Sequence, residues 1–187
     1  DVRKRLGATF EGPEAVDFRL HAYDRVLGLL ERKHRFGPAV RRAVVQRLAE
    51  QVDRNALGTH QALLALGTRP TGELQLVTTN FDTLFQDAGA IRTLDAPMLP
   101  VPKPGKWSGL VHLHGRILSG DDDGRSLVLT SADFGVAYLV EGWAARFVAE
   151  LFQQFDVLFV GYGVNDPVMR YLVDAIAVER QSDPRLR

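Results

Sequence analysis

A chain of 187 residues, 45% apolar and 25% charged, has the length of one compact domain with at most a small subdomain, and ten Phe with two Trp can fill one sizeable core. The 23 Lys and Arg offset the 23 Asp and Glu, so bulk charge does not recruit nucleic acid or an acidic membrane surface. Zero cysteines exclude disulfides, thiolate nucleophiles, iron–sulfur clusters and every Cys-containing zinc site within the chain. No apolar run approaches the roughly 18 residues that span a bilayer, and the charged stretch from Asp1 to Glu14 has no signal-peptide core, which predicts a cytoplasmic protein. A first residue of Asp1 rather than Met leads us to expect further sequence upstream.

Apolar residues at helical spacing, Val16, Leu20, Tyr23, Val26, Leu27 and Leu30, predict an amphipathic helix from Pro13 to His34. Gly37-Pro38 breaks it, and Val40, Val44, Val45, Leu48 and Val52 outline a second helix whose other face carries Arg41, Arg42, Arg47 and Arg54, read as a solvated basic face. Thr59 to Leu66 forms a third, with Thr59 as its N-cap and Gly67 as its stop. The texture then changes. Strands are expected at Leu74 to Thr78, Leu110 to Leu113, Leu127 to Thr130 and Asp156 to Val160. Helices are expected at Asp82 to Ala88, from Ser131 to Phe152 with a break near Gly142, and at Pro167 to Val178. Alternating strands and helices define an α/β, Rossmann-like doubly wound parallel sheet behind an N-terminal helical insertion. The helical part covers residues 13–67 and the Rossmann-like part 74–178 of a single domain. Four prolines between Ala96 and Gly109 mark an extended connection within it.

In such a sheet, ligands bind outside the carboxyl ends of the strands. Three polar clusters lie there. In Thr78-Thr79-Asn80-Phe81-Asp82 a strand runs into a helix, and capping accounts for one of these polar residues but not for all four. In His112-Leu113-His114-Gly115 the alternation puts both histidines on one face; His112 reads as structural, whereas His114, expected to be exposed at the strand's end beside Gly115, suits a reactive base. The third cluster, Gly161-Tyr162-Gly163-Val164-Asn165-Asp166-Pro167, joins a tight turn to an N-cap and a first-turn proline, an arrangement that aims backbone N–H groups at a phosphate or ribose. Other motifs fail: Pro104-Gly105-Lys106-Trp107 lacks the rest of a phosphate-binding loop, Asp121-Asp122-Asp123-Gly124 reads as a turn rather than a metal site, and no serine-hydrolase elbow occurs.

Taken in order, TTNFD, HLHG, LVLTSADFGVAYL and LFVGYGVNDP resemble the sirtuin-like fold, and within it the bacterial NAD-hydrolysing domains of antiviral defence. The resemblance covers roughly Thr59 to Val178. It implies catalytic roles for Asn80, Asp82 and His114 around the nicotinamide ribose, and binding of the dinucleotide by Thr78, Thr79, Gly115, Gly161, Tyr162, Gly163, Asn165 and Asp166. NAD+ is then the substrate, no metal is needed, and a homo-oligomer or a fused or associated sensor domain is the expected partner. Two departures stand out. The family's glycine-rich pyrophosphate loop and its strand have no counterpart before Thr59, so they are expected upstream of Asp1, and Gly163 replaces the usual Ser. Protein-deacylating sirtuins insert a four-cysteine zinc module after His-Gly; this chain has only Arg116 to Ser126 there and no cysteine, which favours water over an acyl-lysine as the acceptor. A non-catalytic NAD or ADP-ribose binding and oligomerisation module is the alternative, with lysine deacylation behind it.

Overall fold

The computed structural model describes residues 2–33, 36–50, 56–118, 123–162, 174 and 178. Three short strands form one parallel sheet in the order β1-β3-β2, with β1 at Gln75–Thr78, β2 at Thr93–Asp95 and β3 at Gly109–His112. All four residues of β3 are buried, as expected of the central strand. The register sets Thr78 and Asp95 on either side of His112, so the three carboxyl ends finish in one row. This is the Rossmann-like α/β arrangement. β2 was not legible, since Arg92-Thr93-Leu94-Asp95 is too short and too polar to stand out from the proline-rich connection after it.

The helical front departs from its expected form. In place of one helix there are two, α2 at Pro13–Arg19 and α3 at Tyr23–Arg32, after a single turn α1 at Val2–Arg5. His21 separates them in the left-handed region, at φ 59°. The face that α2 buries is acidic: Glu14 pairs with Lys33 at 2.6 Å and Asp17 with Arg25 at 3.3 Å, while Val16, Leu20 and Tyr23 remain exposed. Hydrogen bonding by the Lys33 ammonium holds the Glu14 carboxyl below its ordinary value despite burial. Val26 and Leu30 of α3 pack with Ala8 and with Val40 of α4, which spans Gly37–Glu50. Expected members Val52 and Arg54 lie outside the described residues. α5, at Gly58–Gly67, begins before Thr59, which therefore sits inside the helix and not at its cap. α5 meets α6, at Leu84–Ala88, through the edge-to-face rings of His60 and Phe85, 4.8 Å apart.

Leu127 to Thr130 is buried but is not a strand. Its backbone is satisfied by other means. The Asp133 carboxylate accepts from the N–H groups of Leu129 and Thr130, Arg41 donates to the Leu127 carbonyl, and Val128 N–H donates to the His114 carbonyl. Thr130 and Asp133 form a reciprocal capping box that starts α7 at Ser131–Gly135. A π-helical turn, Val136–Val140, continues it; Gly142 at φ 65° breaks the chain as expected, and α8 runs over Trp143–Gln154. Arg41 of α4 is correspondingly no solvated residue: its side chain is 14% exposed and pairs with Glu31 and Asp133, both at 2.6 Å. Asp156 to Val160 is irregular, with Leu158, Phe159 and Val160 exposed; among the described residues no strand lies beside it to complete a ladder. The helix expected at Pro167 to Val178 falls largely outside the described residues. Among those residues, no helix is long and apolar enough to cross a membrane.

Candidate functional site

β1 and β3 end side by side, and their following loops are tied together. Leu113 N–H donates to the Thr78 carbonyl at 2.9 Å and Ile117 N–H to the Phe81 carbonyl at 2.8 Å. His112 makes the closest link. Its Nδ1 lies 3.1 Å from the Asn80 carbonyl and its Nε2 lies 2.8 Å from Gln86 Nε2 on α6. A carbonyl only accepts, so Nδ1 carries the proton and Nε2 accepts from the Gln86 amide. With 0% exposure and both nitrogens engaged, His112 is a framework residue that holds the Asn80 loop against β3. Burial depresses its pKa, against the upward pull of the Asn80 carbonyl and of Asp95.

Around this bond the first two polar clusters come together. Thr78 is buried and its hydroxyl accepts from Asn80 N–H at 3.1 Å, shaping the turn that leaves the Asn80 side chain exposed at the strand's end. Thr79 is half-buried. Asp82 accepts from Leu84 N–H at 3.1 Å, the first residue of α6, so one of its oxygens does the work of a cap and the carboxylate is held at the same edge.

His114 is not in the exposed position expected of it. It is 5% exposed, its Nε2 lies 2.9 Å from the Tyr138 hydroxyl, and its ring meets the Phe134 ring edge-on at 5.0 Å. Phe134 and Tyr138, one turn apart, stack with centroids 6.0 Å apart. Three residues after β3 the chain turns at Gly115, φ 82°, and a Cβ there would stand 2.4 Å from the Ser126 carbonyl. The loop that covers His114 therefore requires this glycine, whatever else approaches it. Burial pushes the His114 pKa down to about 4, so the ring is neutral at physiological pH and keeps a lone pair.

Of the third cluster, Gly161 turns at φ 65° and Tyr162 packs on the apolar core that contains Leu113 and Tyr138. Gly163, Asn165 and Asp166 lie outside the described residues. Sequence reasoning missed Gln86 and Tyr138. Tyr138 lies one helical turn beyond Phe134, a spacing that a core helix produces as readily, and nothing in the residue order pairs it with His114. Among the described residues, no group of three or more His, Cys, Asp or Glu could hold a metal ion.

A parallel sheet flanked by helices, with polar residues in the loops at its carboxyl edge, defines a Rossmann-like α/β domain, and a family model narrows the class. Residues 75–186 match the SIR2-like domain. The chain belongs to the SIR2-like family, whose members are typically NAD-dependent enzymes with NAD+ as substrate. It is also 36% identical over 200 residues to an uncharacterized protein, y4cA, of Sinorhizobium fredii; the match covers 100% of this chain and spans only 16% of that protein. No solved structure matches.

Proposed function

We propose that the chain is the NAD+ glycohydrolase domain of a longer bacterial protein that depletes NAD+ in defence against phage. The observation that carries this reading is the His112 bond to the Asn80 carbonyl, which brings the loops bearing Asn80, Asp82 and His114 to one sheet edge. Nicotinamide leaves as a neutral group, so the C1′–N bond breaks without an acid and positive charge develops on the ribose. In the proposed roles, the exposed Asn80 amide orients ribose hydroxyls or water, and the Asp82 carboxylate offsets the developing charge. His114, neutral through burial, takes the proton of the water that bonds to C1′. ADP-ribose, nicotinamide and one proton are the products. The zinc-bearing module of deacylating sirtuins has no cysteine here to build it, which supports water as acceptor.

Thr78, Thr79, Gly115, Gly161, Tyr162, Gly163, Asn165 and Asp166 make up the proposed dinucleotide cradle, with self-assembly or an associated sensor domain controlling access. The burial of His114 favours a second reading, an NAD or ADP-ribose binding module without turnover. The experiment that separates them follows nicotinamide release and ligand binding by the full-length protein and its Asn80→Ala variant. Release lost in the variant supports hydrolysis; binding with no release by either supports the module.

A further inference from the structure

We propose that Tyr138 is the positioning residue of His114: its hydroxyl oxygen accepts the Nε2 proton and leaves the lone pair of the neutral imidazole on Nδ1. The contact is 2.9 Å long between groups that are 4% and 5% exposed. Its surroundings are the apolar core of Val111, Leu113, Val128, Ala137 and Phe147. In that setting a histidine ring takes its orientation from the hydrogen bond at one nitrogen, and the other nitrogen is the one available for chemistry. Were the hydroxyl to donate instead, the ring's single lone pair would face Tyr138 and Nδ1 would carry a proton, which a base cannot do.

The backbone fixes where the tyrosine sits. Tyr138 is the middle residue of the π-helical turn, closed by Glu141 N–H donating to the Val136 carbonyl at 2.9 Å. The i to i+5 bond makes this turn wider than an α-helical one just before the helix stops at Gly142, which sets the direction of the side chains on it. Stacking on Phe134 fixes the ring plane, so the hydroxyl is held at Nε2 from two directions.

The inference rests on the hydrolysis reading for its kinetic consequence only, and its test separates the two. Tyr138→Phe in the full-length protein removes the hydroxyl and keeps the stacked ring. In deuterated buffer at pH 8, the rate at which the His114 C2 proton exchanges follows the basicity of the ring and is read by mass spectrometry of its peptide. Loss of an acceptor lowers that basicity, so exchange at His114 slows by about twofold or more, with His112 unchanged. In the same variant kcat falls about tenfold or more, as for other residues that orient a reactive histidine, and KM stays within about twofold. Unchanged or faster exchange at His114 overturns the proposal, as does a raised KM with kcat intact. Slowed exchange with no nicotinamide release from either protein upholds the positioning role and sinks the hydrolysis reading. His112 guards against a general packing effect: it is buried as deeply but bonded to Asn80 and Gln86 instead, and a slowing there equal to that at His114 overturns the proposal.

Discussion

Asn80, His112 and His114 sit at or two residues beyond the ends of β1 and β3 yet occupy three different physical environments, and substitutions should separate them. Asn80 is exposed, so Asn80→Ala is expected to abolish nicotinamide release with a Tm within about 2 °C of wild type, as for surface changes of about 0.5 kcal/mol or less. His112→Ala leaves a buried cavity and strips a partner from both the Asn80 carbonyl and Gln86, a loss of about 2–4 kcal/mol in urea unfolding. His114→Ala does both kinds of damage: about 10²–10⁴-fold in kcat as a lost base, and about 1–3 kcal/mol for the hole and the Tyr138 hydroxyl left without its ring partner. Stability also follows pH through these rings. Unfolded histidine titrates near 6.5, but folded His114 does so near 4 and His112 is lowered too. Below pH 6.5 the unfolded chain takes up protons that the folded chain refuses. Their contribution, on the order of 3 kcal/mol for His114, is therefore full above pH 6.5 and is lost as pH falls toward 4. Thermal melts from pH 7 to pH 4.5 should show that decline, and His114→Gln should flatten it. A Tm for His114→Gln that falls as steeply as wild type would refute the assignment.

At the scale of elements, the stretch from Leu127 to Asp133 decides how the helical front meets the sheet. Its β-branched and leucine-rich sequence reads as a strand, but Arg41 and Asp133 take up the backbone groups that a ladder would have used. That substitution of side chains for a neighbouring strand depends on a contact across 92 positions, and no local pattern carries it. The same contact takes Arg41 out of a helix face that reads as solvated and into a cross-link, while Arg42 of that face stays exposed. Asp156 to Val160 shows the converse: apolar composition marks strand propensity, but a strand forms only beside a partner. Strands at β1 and β3 and the break at Gly142 were legible because alternation and glycine act locally. Arg41 gives the element-scale test. It reaches Glu31, Asp133 and the carbonyls of Gly124 and Leu127. Arg41→Met strands two carboxylates and two acceptors and should cost about 3–5 kcal/mol in urea unfolding. Arg41→Lys should recover less than half of that, since an ammonium cannot reproduce the guanidinium fork. Full recovery by lysine would show that charge alone, and not the shared geometry, joins α3, α4 and α7.

For the whole molecule, the sheet itself points to how much of an NAD+ site one such chain can supply. In a parallel ladder alternate residues bond to each side. Leu74 and Thr78 carbonyls accept from the β3 strand and its extension, which turns the backbone groups of Gln75 and Val77 to the other edge of β1, where no described strand lies. A pyrophosphate needs backbone donors from a glycine-rich turn at a helix N-terminus, and before Thr59 the glycines are Gly7, Gly12, Gly28, Gly37 and Gly58, none in such a pattern. The family relative in Sinorhizobium fredii is several times longer than this chain. We expect the 187-residue chain alone to bind and hydrolyse NAD+ far less well than a protein extended upstream, because in the proposed site it is binding energy realised on the phosphates that would hold the ribose at Asn80 and His114. The measurement is nicotinamide release from both proteins at matched concentration, each first shown to melt cooperatively. A deficit in the short protein despite a cooperative melt is the expected outcome. Equal turnover would mean that a segment within these 187 residues provides the phosphate donors, and the edge of β1 that no described strand covers would then need another occupant.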